Sequence, residues 1–206
     1  KDVDNMRDEF NYWYPVDFRN SGKDLIQNHL TFFLFNHTAI FDESKWPKSI
    51  GANGWVTVDG QKMSKSLGNV IPVREMAEKF GADASRITIL NGGEGMDDTN
   101  WDSEFARTVS YKLMQFHDFC IENYNKGSSE KKTIDSWFES ELNSSIMTAT
   151  KEMEATNFRT SLQKIFFDMQ RSTKWYMKRR NNSPNKELLN KVIEAQIIML
   201  SPFVPH

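Results

Sequence analysis

Lys62-Met63-Ser64-Lys65-Ser66 sets two lysines three residues apart among small hydroxyl side chains, directly after the turn dipeptide Asp59-Gly60 and before Leu67-Gly68-Asn69. With glycines on both sides, this stretch reads as a mobile loop carrying two point charges. Such a loop suits the triphosphate of a nucleotide, where catalysis consists largely of positioning and of neutralising charge that develops during transfer. Lysine serves here as a flexible, strongly charged donor. An exposed basic surface turn is the plainer reading. Against it, this five-letter string arises by chance in about one chain of this length in 10⁴ at ordinary composition, and it follows a predicted strand.

Three other groups have a chemical case. Gly22 and Asp24 stand where a strand gives way to a helix, the place where α/β proteins bind ligands. A glycine there lets backbone approach a ligand, and an acidic residue accepts from ribose hydroxyls, although Asp24 also suits a helix cap. His29 lies further along the same helix, where it serves either as a core residue or as a ligand contact, while His37 is read as structural. Lys164, Arg171, Lys174 and Lys178 follow at spacings of seven, three and four, with Phe158, Leu162, Ile165, Phe166, Met169 and Tyr176 on the opposing face. A basic stripe backed by a core stripe suits a nucleic-acid phosphate backbone, and a solvated helix face is the alternative.

The elements that must position these residues change character along the chain. Residues 12–19 read as a strand broken by Asn20-Ser21-Gly22, and Asp24 to about Phe41 as a helix. Asp42 to Asn53 reads as a loop with a short extended piece. Trp55 to Val58 reads as a strand entering the Asp59-Gly60 turn. Strand, helix and strand in that order imply a βαβ unit and a parallel sheet. Short helices are expected over 75–80 and 84–90, and Gly92 to Asn100 reads as a loop or boundary. Beyond it Phe105, Val109, Leu113, Phe116 and Cys120 mark one helical face. Residues 125–132 read as a linker, followed by helices over about 134–155, 158–180 and up to Leu200. The fold class is therefore α/β followed by an all-α bundle, with a division at residues 1–102 and 103–206.

Composition narrows the setting. The 206 residues carry 38% hydrophobic and 26% charged side chains, with a mean hydropathy of −0.62. No run approaches the roughly 20 apolar residues of a membrane span, and the first residues hold no apolar signal stretch. A single cysteine, Cys120, excludes an internal disulfide framework and a multi-cysteine metal site, and fits a reducing cytoplasm. The net charge of −2 conceals a split. Residues 1–104 carry 11 Lys+Arg against 17 Asp+Glu, whereas the remainder carries 15 against 11. A basic second half fits an anionic partner there. The chain opens on Lys1 and stops on His206, which suggests a piece of something longer.

Lys62 to Ser66 matches, letter for letter, the signature loop of class I aminoacyl-tRNA synthetases. Tyr12-Trp13-Tyr14-Pro15-Val16-Asp17, Ser21-Gly22-Lys23-Asp24-Leu25-Ile26 and Asn28-His29-Leu30-Thr31-Phe32-Phe33 resemble the leucyl branch of that family, archaeal and eukaryotic cytosolic type. The isoleucyl and valyl enzymes share the later layout, with Ile71-Pro72 and Gly81-Ala82-Asp83-Ala84. The resemblance implies a Rossmann-like catalytic portion over 1–102 and a helical, anticodon-binding-type domain over 103–206.

It further implies leucine activation with ATP and transfer to tRNA(Leu). Lys62 and Lys65 would be catalytic, and Met63 and Ser64 would share the ATP site. Gly22 and Asp24 would hold the adenosine ribose, and the backbone at Trp55 and Val56 would flank adenine. His29 would line the leucine pocket. The stripe Lys164, Arg171, Lys174 and Lys178 would face tRNA. Magnesium is expected with ATP, and no protein metal site is read from the sequence. The family's His-x-Gly-His element is nowhere in the chain, so the 206 residues alone are expected to lack synthetase activity. A non-catalytic RNA-binding module that keeps the fold is the alternative from another functional class.

Overall fold

The computed structural model describes residues 1–206 and divides into two compact units, residues 1–55 with 95–98, and residues 56–94 with 99–206.

In the first unit, helix α1 (Asp2–Trp13) runs through the tyrosine and tryptophan expected to start a strand. Strand β1 (Arg19–Gly22) begins later and contains the Asn20-Ser21-Gly22 stretch expected to end it. The aromatic run misled because β propensity mostly reflects how a side chain packs, and Tyr12 and Trp13 stand exposed at the helix end. Strand β2 (Ile50–Asn53) pairs with β1 in parallel, Arg19 opposite Ile50 and Gly22 opposite Asn53. The crossover between them opens with a 3₁₀ turn (Lys23–Leu25), a π turn (Ile26–Leu30) and helix α2 (Thr31–Ile40), and returns to β2 through the expected loop over residues 41–49, in which a 3₁₀ turn (Glu43–Lys45) is the one helical piece. A βαβ unit is therefore present, but its second strand is β2 and not the segment at Trp55–Val58.

Leu30 and His37 are the buried side chains of the helical crossover. The His37 ring stacks on Tyr14 at 5.8 Å and donates from Nδ1 to the Phe33 carbonyl at 2.7 Å. Because a carbonyl only accepts, that bond leaves Nε2 facing the Tyr14 hydroxyl. His37 is a satisfied structural residue.

The second unit contains a three-stranded sheet in the order β4-β3-β5, from β3 (Val56–Val58), β4 (Gln61–Lys62) and β5 (Thr99–Trp101). Strand β3 turns into β4 through Asp59 and Gly60, both at positive φ (51° and 74°), as a two-residue hairpin requires. Strand β5 lies parallel to β3 and begins at the end of the segment, Gly92 to Asn100, expected to be a loop or boundary. Three residues are too few to show periodicity, and β5 exists because Trp101, 1% exposed, anchors it in a core with Met76, Phe80 and Ala106.

Helices α3 (Val73–Phe80) and α4 (Ala82–Gly92) follow the loop, separated by Gly81 at φ 85°. Asp102 accepts from the Glu104 and Phe105 amides to cap α5 (Ser103–Asn123). The bundle continues with α6 (Thr133–Glu154), α7 (Phe158–Leu162), a π turn (Gln163–Asp168), α8 (Met169–Arg179) and α9 (Lys186–Leu200). Ala84 and Ile87 of α4 pack with Val109, Leu162, Ile165, Phe166 and Leu200 in one core, and a second core centres on Phe138, Tyr176 and Leu189.

The 125–132 segment is pinned and is not a free linker. Ser128 exchanges backbone hydrogen bonds with Pro184 and Lys186, and a side chain at Gly127 would collide with the Pro184 carbonyl.

Candidate active site

In the second unit, the lysine loop is held by its own polar side chains. Asn69 donates to the Lys62 carbonyl at 3.1 Å and accepts from the Ser64 amide at 2.8 Å, closing the loop across its neck. Inside it the Ser64 and Ser66 hydroxyls meet at 2.6 Å, and the Gly68 amide donates to the Lys65 carbonyl with Gly68 at φ 67°. Asn100 on β5 accepts from the Gly60 amide at 2.8 Å and so braces the turn that feeds the loop. Lys62 and Lys65 are exposed, while Met63 and Ser64 are half-buried. A loop tied at its neck with two exposed lysines can place positive charge against an anion at little cost in reorganisation. Val56 supports the same sheet, packed against the Trp101 core.

In the first unit, Gly22 ends β1 and precedes the 3₁₀ turn that carries Asp24. The Asp24 carboxylate makes no capping bond, so the capping alternative does not describe it. A Cβ at Gly22 would lie 2.5 Å from Asp24 Oδ1, so a glycine is what lets the carboxylate fold back over the strand end. An exposed carboxylate beside open backbone can accept from vicinal hydroxyls. Lys23, between these two, donates to Asp98 Oδ1 at 2.6 Å. Asp98 also accepts from the Trp55 amide at 2.8 Å, and these two bonds hold its carboxyl below the usual range.

His29 lies in the π turn, exposed, while its neighbour Leu30 is buried. The i to i+5 bonding of such turns rotates residues out of α-helical phase and is frequent at functional positions. His29 is therefore no core histidine, and its ring is available to a ligand.

The helical half holds a groove of about 1090 Å³ between α5 and α8. Arg171, Lys174 and Lys178 line it with Lys112, over a floor that includes Phe116, Phe119 and Met177. Lys164 lines a separate depression with Glu94, Arg159 and Asp168, so the expected four-residue stripe is three residues long. The reason is the π turn at Gln163–Asp168, which breaks the heptad phase between 164 and 171. Leu162, Ile165, Phe166, Met169 and Tyr176 are buried, as the opposing face requires, whereas Phe158, expected with them, is 37% exposed at the first residue of α7.

Sequence reasoning did not single out Asn69, Asn100 or Asp98. Asn69 sits beside the signature and could have been read as a loop clamp, whereas Asn100 and Asp98 act over 40 and 75 positions and leave no local signal.

Residues 2–102 match the family described as tRNA synthetases class I (I, L, M and V), and residues 135–206 match the anticodon-binding domain of tRNA ligase. Leucine--tRNA ligase of Aeropyrum pernix is 47% identical over 99% of the chain, and that of Pyrococcus abyssi 40% over 99%. A Schizosaccharomyces pombe relative named as a cytoplasmic leucine--tRNA ligase is 40% identical over 96%. The chain spans about a fifth of the length of these relatives, 22%, 22% and 18% respectively.

Among solved structures, a ternary complex of LeuRS, tRNA and LeuAMS from Agrobacterium radiobacter superposes with a TM-score of 0.77 at 22% identity, over 93% of this chain and 26% of that one. Mycobacterium tuberculosis methionyl-tRNA synthetase with methionyl-adenylate gives 0.75 at 18% identity, over 94% and 43%. These two share the fold. Since the signature loop, the family match and the leucine--tRNA ligase likeness coincide along one sequence, the chain belongs to the class I aminoacyl-tRNA synthetases.

Proposed function

We propose that the chain supplies part of the adenylate-forming site and part of the tRNA-binding surface of a leucine-activating synthetase. The carboxylate of leucine attacks the α-phosphorus of ATP and pyrophosphate leaves; a terminal ribose hydroxyl of tRNA(Leu) then attacks the leucyl carbonyl of the adenylate, forming the ester and releasing AMP and the hydroxyl proton. Lys62 and Lys65 neutralise charge growing on the phosphates as pyrophosphate departs. Met63 and Ser64 shape the loop that carries them.

Gly22 admits the ribose to the strand end and Asp24 accepts from its hydroxyls. The backbone at Trp55 and Val56 flanks adenine. His29 lines the pocket for the leucine side chain. Residues 1–102 form the catalytic portion, and residues 103–206 the tRNA-binding portion. Arg171, Lys174 and Lys178 meet phosphates along the groove, and Lys164 meets them from its own depression. Magnesium would come in on the ATP phosphates as part of the substrate. The reading places the protein in the cytoplasm, and no helix is long and apolar enough to cross a membrane.

The observation that carries this reading is the clamped Lys62–Ser66 loop with both lysines exposed, on a chain whose relatives are named for leucine. The test is amino-acid-dependent ATP–pyrophosphate exchange by the full-length protein that carries this chain, with leucine, isoleucine, valine and methionine in parallel. Exchange is expected with leucine, and Lys65→Ala is expected to lower its kcat by about 10² to 10³. Exchange with valine or isoleucine in place of leucine would overturn the amino-acid assignment. Undiminished exchange in Lys65→Ala would overturn the loop's role.

A further inference from the structure

Lys23 and Asp98 lie 75 residues apart in sequence, and neither has been given a role in the reaction above. Their side chains meet at 2.6 Å, and Lys23 Nζ also reaches the Met96 carbonyl at 3.4 Å. Asp98 Oδ1 is shared, since it accepts at the same time from the Trp55 amide at 2.8 Å. One carboxylate therefore ties together two chain segments, the 3₁₀ turn holding Gly22 and Asp24, and the strand entry at Trp55. The backbone around it leaves no slack. A Cβ on Gly54 would lie 2.0 Å from the Asp97 carbonyl and 2.8 Å from Asp98 Oδ1, so residues 97–98 press directly onto residues 54–55. Both ends of this link carry residues assigned above to the nucleoside.

We infer that Asp98 is a positioning residue for ATP, setting through Lys23 and the Trp55 amide the spacing between the ribose-binding turn and the backbone that flanks adenine. The inference rests on the nucleoside roles proposed for Gly22, Asp24 and Trp55. The Lys23 and Asp98 side chains are 32% and 45% exposed. An ion pair in such a setting adds little to stability, so its removal should register in geometry before it registers in folding. The second bond, to a backbone amide, is what makes the arrangement directional, because an amide hydrogen has one axis and the carboxylate must sit on it.

The test uses the full-length protein that carries this chain, in three variants. Lys23→Met keeps the stem and removes the ammonium. Asp98→Asn keeps an acceptor for the Trp55 amide and removes the charge. The third variant combines both. In leucine-dependent pyrophosphate exchange each single variant is expected to raise the KM for ATP about tenfold, the loss of one charge-assisted hydrogen bond. The KM for leucine and the thermal midpoint should stay at the parent's values. The double variant should be no worse than either single one, because the two residues act as a unit.

An unchanged KM for ATP in Lys23→Met overturns the inference, and so does additive loss in the double variant. So does a parallel rise in both KM values with an early melt, which is the mark of a merely structural pair. Should Asp98→Asn fail to fold, Lys23→Met decides alone. Lys65→Ala separates the two layers: if it lowers kcat while Lys23→Met leaves the KM for ATP alone, only this inference falls. If the parent shows no leucine-dependent exchange, the functional reading falls and takes this inference with it.

Discussion

The role proposed for the lysines of the signature loop needs a main chain that holds still beneath them, and one asparagine contributes two of the bonds that hold it. Asn69 uses both ends of its amide, donating to the Lys62 carbonyl and accepting from the Ser64 amide. Asn69→Ala removes both bonds without touching either ammonium group. The expected outcome is a fall of about tenfold in kcat for pyrophosphate exchange with the KM for leucine unchanged, because a loosened loop presents its charges in the productive pose less often. Steady-state exchange kinetics read it directly. At the other extreme of reactivity stands Cys120. Burial against the helical core pushes its thiol up to about 11. Since the thiolate is the nucleophile, alkylation by iodoacetamide should be negligible at pH 7 and rise about tenfold per pH unit towards 11. Mass spectrometry of timed samples checks this.

At the scale of elements, the pinned 125–132 segment depends on one buried cluster. The Tyr176 hydroxyl donates to Asp135 at 2.7 Å and accepts from the Asn185 amide at 2.9 Å, while Arg180 donates to the Ser183 and Glu130 carbonyls. Burial, with the Asp135 carboxylate alongside, raises the Tyr176 phenol to about 12. Tyr176→Phe leaves the Asn185 amide without its acceptor inside the protein and reduces the partners of Asp135 Oδ1 to the Arg180 ion pair at 3.7 Å. It should cost about 1–3 kcal/mol, visible as an earlier thermal or urea midpoint. The sign of the pH effect follows from the raised value. The tyrosine's contribution is complete below pH 10 and is lost as pH climbs through 12, so the difference between parent and Tyr176→Phe should shrink over that window. The two π turns are a second lesson at this scale. Residues 26–30 and 163–168 occur inside segments whose spacing reads as plain α-helix. The second of them separates Lys164 from the other basic residues.

Across the whole molecule, the uneven charge has a structural counterpart. The excess of positive residues after position 104 includes Lys112, Arg171, Lys174 and Lys178, gathered on the walls of one groove with aromatic side chains at its base. If this groove holds RNA phosphates, neutralising Arg171, Lys174 and Lys178 together should reduce the slope of log affinity against log salt by about 2 to 3. Lys164→Ala, outside the groove, should move it less. Filter binding of tRNA(Leu) to the full-length protein over a salt series measures both, with Lys65→Ala as a control whose slope stays at the parent value.

Much of this was legible from residues alone wherever the signal was local. The Lys62–Ser66 string, the Asp59-Gly60 turn, the helical faces of the second half and the glycine–acid pair at Gly22 and Asp24 each depend on residues within a turn or two of one another. Spacing therefore carried the α/β-then-helical order, and the resemblance of the quoted motifs carried the family. What spacing could not carry was decided by contacts between distant segments. Which strand completes the βαβ unit, that Thr99–Trp101 is a strand at all, that residues 125–132 are pinned, and that Asp98 joins Lys23 to Trp55 all follow from hydrogen bonds and burial across 30 residues or more. A side chain's partners in such contacts are chosen by the packed fold, so the residues of the loop were written in the sequence and its bracing only in three dimensions.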